Sequence, residues 1–278
     1  MAELTQLMQN LLAQKDAALS NETRRIFLKE FLQVYILDFI YNHSTYRKLC
    51  FYGGTCLHFL YGLNRLSEDI DLDNRNQIDL SQLEEDLLYY FHTSIKYDQL
   101  TLKTQIGERG IRRTTLKFPF LYALGLASQP DESLHVKVEI SQHQQIAEIR
   151  KTPLILYGHS FVPSHFSLES MMAGKMIACL ERSFQKGSTG IGIKGRDYYD
   201  LLWFMQQKVK PLEEKLANDG KIPYTVQSAM LLLKEKVESI RMGDLAADLL
   251  PLFEQRAFIE AWLEGFKEYF RDSLKSYL

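Results

Sequence analysis

Asp69, Asp71 and Asp73 alternate with Ile70 and Leu72. That period of two is the pattern of a β-strand with one apolar and one acidic face, so the three carboxylates share a side. Like charges held together repel, and each ionised carboxylate is costly to desolvate without a counter-charge. A divalent cation removes both costs. Asp69 and Asp71 could hold Mg²⁺ or Mn²⁺ through hard oxygen donors while substrate phosphates complete the shell, as at phosphoryl-transfer sites. A calcium loop fails on spacing, because one begun at Asp69 would carry Asn74 where glycine is needed and Leu80 where glutamate is needed. An exposed acidic strand face is the bland alternative, since D-x-D alone is a weak signal.

A third carboxylate serves a second ion or deprotonates an attacking hydroxyl at such sites. Glu139 is the candidate: Val136, Val138 and Ile140 alternate with Lys137 and Glu139, a second strand expected to lie beside the first. Upstream, a short β-type run, Leu49 to Tyr52, meets Gly53 and Gly54, after which Thr55 to Tyr61 reads as a helix. A glycine pair at such a turn points backbone N–H groups outward and lets phosphate approach the chain. Thr55 is expected to cap that helix. Ser67 and Arg65 precede the acids closely enough to shape the turn, Ser67 binding phosphate and Arg65 an acidic residue or phosphate.

These residues need elements to hold them. Residues 1–45 read as two helices, the second from Glu22 to Tyr41 with Asn21 as its cap. Ser81 and Glu84 have the spacing of a capping box for a helix through about Ile95. Three β-rich stretches follow, near 99–106, 111–120 and 133–140, the first two joined by the turn Gly107-Glu108-Arg109-Gly110. From Phe166 onward helical patterns dominate, at 167–185, 196–208, 224–239 and 255–272. The expected class is α+β: a mixed β-sheet with flanking helices over residues 1–165, then a helical bundle over residues 166–278, with the boundary near 160–166.

Composition bounds the function. The 278 residues are 46% hydrophobic and 24% charged, which excludes a disordered or low-complexity chain. A net charge of −2 excludes the strongly basic profile of a dedicated DNA-binding protein but leaves room for a local basic cleft. Cysteines at 50, 56 and 179 form no C-x-x-C pair, so neither a disulfide scaffold nor a zinc ribbon is supported, and reduced thiols fit the cytoplasm. No signal peptide is evident, and the most apolar windows are too short for a bilayer of ~30 Å hydrocarbon. A soluble cytoplasmic protein without membrane contact is expected.

The run YGGTCLHFLYGLNRLSEDIDLD resembles the signature of the AbiEii/AbiGii-type nucleotidyltransferase toxins of the DNA polymerase beta superfamily, in which a glycine turn is followed by R-x-S-x-D-h-D, h being apolar. Lys137-Val138-Glu139-Ile140 is similar to that family's second motif, a lysine and the third carboxylate on a strand. Glu169 through Lys175 to Ala178 is similar to its third, a helix carrying a lysine toward the nucleotide. Lys194-Gly195-Arg196-Asp197-Tyr198-Tyr199-Asp200-Leu201 resembles its fourth, K-x-R-D-h-x-D-L. Glu139 departs from the Asp found in many superfamily members, though both ligate hard cations.

The resemblance implies a nucleotidyltransferase fold whose helical part closes one side of a nucleotide cleft. It implies transfer of an NMP from an NTP to an acceptor hydroxyl, with Mg²⁺ or Mn²⁺ at Asp69, Asp71 and Glu139. Gly53, Gly54, Thr55, Ser67, Lys137, Lys175, Lys194 and Arg196 would bind the nucleotide, with Arg65, Asp197 and Asp200 in support. Residue patterns alone also allow Lys175 to be a solvated helix residue and Arg196 to pair with Asp200 at i,i+4. The glycine-rich loop 187–192 is not a P-loop, since no G-K-[ST] closes it, and reads first as a connector. The implied acceptor is tRNA or other RNA, for which Lys103, Arg109, Arg112, Arg113 and Lys117 offer cations, and the implied partner is a cognate antitoxin. Alternatives are transfer to a protein or small molecule, a toxin acting through protein contact alone, and a non-catalytic nucleotide- or RNA-binding module.

Overall fold

A computed structural model of the chain describes residues 3–107, 110–142, 144–182 and 193–278. Two compact units are present, Met1–Gln144 with Lys151–His165, and Gln145–Arg150 with Phe166–Leu278.

The first unit opens with helices α1 (Glu3–Ala13) and α2 (Asn21–Asn42). Apolar residues recur on more than one side of α2, and Leu28, Leu32, Val34, Ile36 and Leu37 are all inaccessible, so this helix is a central element rather than a surface one. Its cap is Ser20, whose hydroxyl accepts from the Thr23 amide at 3.1 Å, and the expected cap Asn21 is the first helical residue. The one-residue shift leaves Ser20 in the extended conformation that capping requires.

Strand β1 (Cys50–Tyr52), helix α3 (Gly53–Tyr61) and strand β2 (Asp69–Asp73) follow, then helix α4 (Leu83–Thr93) and strands β3 (Thr101–Ile106), β4 (Arg112–Phe118) and β5 (Leu134–Ser141). Four short strands complete the β structure: β6 (Ile149–Lys151), β7 (Leu154–Leu156), β8 (His159–Phe161) and β9 (Ser164–Phe166). The main sheet is ordered β3-β4-β5-β2-β1-β9-β6, and β7-β8 form a separate hairpin. The sheet is mixed, as expected: β2 runs parallel to β5 and antiparallel to β1, while β4 is antiparallel to both β3 and β5. One face is core, where Ile70, Leu72, Leu116, Val136, Val138 and Ile140 are inaccessible. Alternation then puts Asp69 and Asp71 of β2, Arg113 of β4, and Lys137 and Glu139 of β5 on the other face.

The Ser81–Glu84 capping box does not form. Helix α4 starts at Leu83 with no side-chain cap, and the Ser81 hydroxyl bonds Asp79 instead. Glu84 is drawn to the sheet, where it accepts from Arg112 and from the hydroxyls of Thr104 and Thr114. A carboxylate with an arginine and two hydroxyls within reach gains more there than from one backbone amide. Burial works against its ionised form, but those donors outweigh it and hold the carboxyl below its usual range. The β3–β4 hairpin closes with the Gly107 amide donating to the Ile111 carbonyl, while Glu108 and Arg109 lie outside the described residues.

The second unit contains helices α5 (Leu168–Glu181), α6 (Gly195–Gln206), α7 (Glu213–Asn218), α8 (Val226–Ser239), α9 (Met242–Leu249) and α10 (Arg256–Leu274). Helix α5 packs on α6, α7 and α8, and α10 packs on α6, α8 and α9. Met172, Met176, Leu201, Leu202, Phe204, Leu233 and Phe266 fill the centre. The pattern read as a helix over 167–185 ends at Glu181, and residues 183–192, including the glycine-rich loop 187–192, lie outside the described residues. The three cysteines are buried free thiols, and burial pushes those of Cys56 and Cys179 well up from their ordinary value. Among the described residues no helix is long and apolar enough to cross a membrane.

Candidate active site

Asp69 and Asp71 stand on the polar face of β2, both partly exposed, whereas Asp73 at the strand's end is fully buried. The glycine turn and the strand are built around each other. Gly53 has φ +81°, and a Cβ placed on it would lie 2.1 Å from Asp71 Oδ2, so the carboxylate sits directly against the first turn of α3. Only glycine adopts that backbone readily, and only glycine leaves that space. A helix N-terminus carries partial positive charge from its unpaired amides, which favours a carboxylate there.

Gly54 performs the same service for the preceding loop, because a Cβ there would lie 2.7 Å from Arg65 Nη2 and 2.9 Å from Ser67 Oγ. Arg65 is 2% exposed, and its Nη1 donates to the Leu66 carbonyl at 2.9 Å. Such burial makes it a buttress of the turn and takes its head group away from solvent. Ser67 is also buried, and its carbonyl accepts from Gln33 Nε2 of α2 at 3.2 Å. Glu68 pairs with Lys29 of the same helix at 2.7 Å. Helix α2 thus fixes the segment that delivers Asp69 and Asp71. Thr55 is fully buried and does not cap α3; its hydroxyl donates to the Asp69 carbonyl at 2.5 Å, tying the helix to β2 at the first aspartate.

Strand β5 lies beside β2 with Asp69 opposite Lys137 and Asp71 opposite Glu139. Opposed residues on neighbouring strands share a face and have Cα atoms about 4.8 Å apart. Glu139 therefore projects next to Asp71. One strand further, Arg113 of β4 lies opposite Glu139, and its Nε donates to Glu139 Oε1 at 2.5 Å. That hydrogen bond and the carboxylate's charge raise the guanidinium's pKa, with the charge of Asp69 adding to it. Lys137 is exposed on the same face.

The donor set is chemically suited to a hard divalent cation: two carboxylates at i,i+2 on one strand and a third in register beside them. Among the described residues, however, no group of three His, Cys, Asp or Glu side chains converges as a ready metal cage. Asp69, Asp71 and Glu139 supply the donor type such an ion takes, with Glu139 bonded to Arg113.

In the second unit, Lys175 of α5 is largely buried and pairs with Asp197 at 2.8 Å and Asp200 at 2.9 Å, both on α6. The alternative of a solvated Lys175 is thereby excluded. Asp197 also takes Arg182 at 2.7 Å. Burial alone would raise the Asp197 pKa, but Lys175, Arg182 and Lys194 outweigh it and hold the carboxyl well below the usual range. Lys194 shows the reverse balance: burial first, then the neighbouring charge of Arg196, pushes its ammonium below the ordinary lysine value. The Arg196 amide donates to Asp248 of α9, anchoring the start of α6. A cavity of about 330 Å³ lies here, lined by Arg182, Lys194, Asp197, Lys236, Ser239 and Arg241 among others.

Residues 38–277 match the family described as nucleotidyl transferase AbiEii toxin, type IV TA system. The chain belongs to the AbiEii family. It is a nucleotidyltransferase toxin by that membership. The crystal structure of JHP933 from Helicobacter pylori is similar over 93% of this chain and 94% of its own, with 19% identity and a TM-score of 0.52. That of a "putative nucleotidyltransferase" from the same organism is similar over 90% and 94%, with 20% identity and a TM-score of 0.52. At such identity the likeness establishes the fold. No curated protein matches the chain.

For this AbiEii chain, sequence reasoning put Arg112 and Arg113 together as cations for RNA, and the structure separates them. Arg112 faces Glu84 and Arg113 faces Glu139, on opposite sides of the sheet. The signal was present: adjacent residues of a strand point to opposite faces, so only Arg113 could share a side with Glu139. Arg182, the second cation on Asp197, went unnoticed because it lies outside the K-x-R-D motif.

Proposed function

We propose that this AbiEii nucleotidyltransferase transfers an NMP from an NTP to an acceptor hydroxyl at the polar face of β2 and β5, with Asp69, Asp71 and Glu139 as ligands for Mg²⁺ or Mn²⁺. The observation that carries the reading is Asp71 seated against Gly53 at the start of α3, with Asp69 beside it and Glu139 in register on the next strand. A bound divalent ion would supply Lewis-acid polarisation of phosphate oxygens and a counter-charge for the leaving group.

The chain's own residues would do the rest. The backbone at Gly53 and Gly54 lets phosphate approach without a Cβ in the way. Lys137, exposed beside Asp69 in register, offers a cation to the phosphates. Attack by the acceptor oxygen forms a bond to the α-phosphorus, the bond to the β-phosphate breaks, pyrophosphate departs, and the acceptor proton passes to a carboxylate of this face. Ser67 and Thr55 would act by shaping the turn, given their buried partners. In the second unit Lys194 is the cation proposed for phosphate, lining the same cavity as Arg182, Lys236 and Arg241. Lys175 and Arg196 would serve the same end, ordered by Asp197 and Asp200.

The acceptor we favour is RNA, tRNA in particular, and the type IV description of the family supports a cognate antitoxin as partner. Incubating the protein with labelled NTPs, Mg²⁺ and separate pools of total RNA and total protein tests this reading. Label is expected in the RNA pool and absent with an Asp69→Ala, Asp71→Ala variant. Label in protein alone would overturn the RNA assignment, and equal labelling by the variant would overturn the site.

A further inference from the structure

Arg113 and a metal ion would draw on the same oxygens. Arg113, Glu139 and Asp71 lie in one line across β4, β5 and β2, each opposite the next, on the polar face of the sheet. At about 4.8 Å per strand, the arginine's Cα is roughly 10 Å from that of Asp71, within the span of the two side chains together. Its guanidinium is bonded to Glu139 through Nε, and its charge also feels Asp69.

The neighbouring pair shows what a fixed arginine looks like in this sheet. Arg112 grips Glu84 through both Nε and Nη2, and two threonine hydroxyls complete that carboxylate. Both partners there are about one-fifth exposed, 20% and 19%. Arg113 reaches Glu139 through Nε alone, with exposures of 42% and 26%. A half-exposed single contact on a long flexible side chain is weakly held, whereas a forked contact completed by hydroxyls is not. Arg112 is a tie between α4 and the sheet; Arg113 has the makings of a movable group.

Resting on the metal-carboxylate reading of Asp69, Asp71 and Glu139, we propose that Arg113 is a positioning residue that competes with the metal ion for Glu139. Bonded to Glu139, it keeps the third carboxylate from converging on the other two. Capture of Glu139 by a cation frees the guanidinium, which can then turn outward to a phosphate. Metal occupancy and anion recognition at this face are thus linked through one side chain, and each favours the other.

The test is a double-mutant cycle on Mn²⁺ binding by the full chain, read by calorimetry at fixed ionic strength, with no nucleotide and no turnover. Arg113→Gln is expected to tighten Mn²⁺ binding about tenfold, combining a released carboxylate with removal of a nearby positive charge. In a Glu139→Gln background the same change should gain at least about threefold less, because no carboxylate remains to be released. Arg113→Lys, which keeps the charge without the fork, should fall between wild type and Arg113→Gln. Equal gains in both backgrounds would overturn the competition and leave Arg113 as a distant charge, as would no gain at all. Failure of the underlying reading is separate: Mn²⁺ binding that survives Asp69→Asn, Asp71→Asn, or is absent in wild type, removes the metal site itself.

Discussion

Replacing Gly53 by alanine separates two costs that coincide at this residue. One is the backbone: a residue with a Cβ at φ +81° sits in left-handed space, at about 1–2 kcal/mol. The other is steric, because the new methyl would lie 2.1 Å from Asp71 Oδ2 and one of them must move. Forcing an extra methyl into occupied space typically costs about 1–3 kcal/mol. Gly62 supplies the control. It has φ +73° as the C-cap of the same helix, and nothing lies within 4 Å of where its Cβ would be. Gly62→Ala should therefore cost the backbone part alone, about 1–2 kcal/mol. Gly53→Ala should cost about 2–5 kcal/mol in total. At roughly 2–4 °C per kcal/mol for a domain of this size, differential scanning calorimetry should separate the two variants by several degrees. Activity should divide them further, since only Gly53→Ala displaces Asp71. If the two variants melt together and are equally active, Asp71 does not occupy the position argued for it.

Further outcomes follow from individual contacts. Asp197→Asn weakens the contacts of Lys175, which keeps Asp200, and of the half-exposed Arg182, and should destabilise the second unit by about 1–3 kcal/mol in denaturant titration. The same carboxyl has a folded pKa below its unfolded value, so its stabilising contribution is present above about pH 4 and is lost as pH falls further. Acid titration of wild type should show that loss, and Asp197→Asn should show a shallower acid limb. Thr55→Val preserves shape but removes the hydroxyl that bonds the Asp69 carbonyl, and should cost about 1 kcal/mol in thermal unfolding, with a fall in turnover as β2 loosens. Glu84→Gln weakens the forked contact with Arg112 and should cost about 1–3 kcal/mol without removing any residue assigned to the reaction.

The long elements were legible because their signals are long. The alternation in Asp69–Asp73 and in Val136–Ile140 fixed the faces of β2 and β5, and helical periodicity located α2, α5, α6, α8 and α10. Helices α7 and α9, of six and eight residues, span too few turns for a period to emerge, and β6 to β9 have three residues each. Pairing of β2 with β5 was an expectation from chemistry, that a third carboxylate needs a neighbouring strand, and the register gives that expectation its form. Capping was read worst. Asn21, Ser81 and Thr55 all carry suitable side chains, but Ser20, Asp79 and the Asp69 carbonyl offered better-placed partners. Local spacing cannot weigh a partner that arrives from elsewhere in the fold, whereas the grouping of Arg113 with Arg112 overlooked the strand alternation that sends neighbours to opposite faces.

The central claim, nucleotidyl transfer at Asp69 and Asp71, is most directly tested by comparing NTP labelled at the α-phosphate with NTP labelled at the γ-phosphate, using wild type and Asp71→Asn in the presence of Mg²⁺ and total RNA. The account predicts stable label from the α-phosphate only, with loss of at least about a hundredfold in the variant, the scale of removing a group that stabilises transition-state charge. Label arriving from the γ-phosphate, or undiminished α-label in Asp71→Asn, would contradict it.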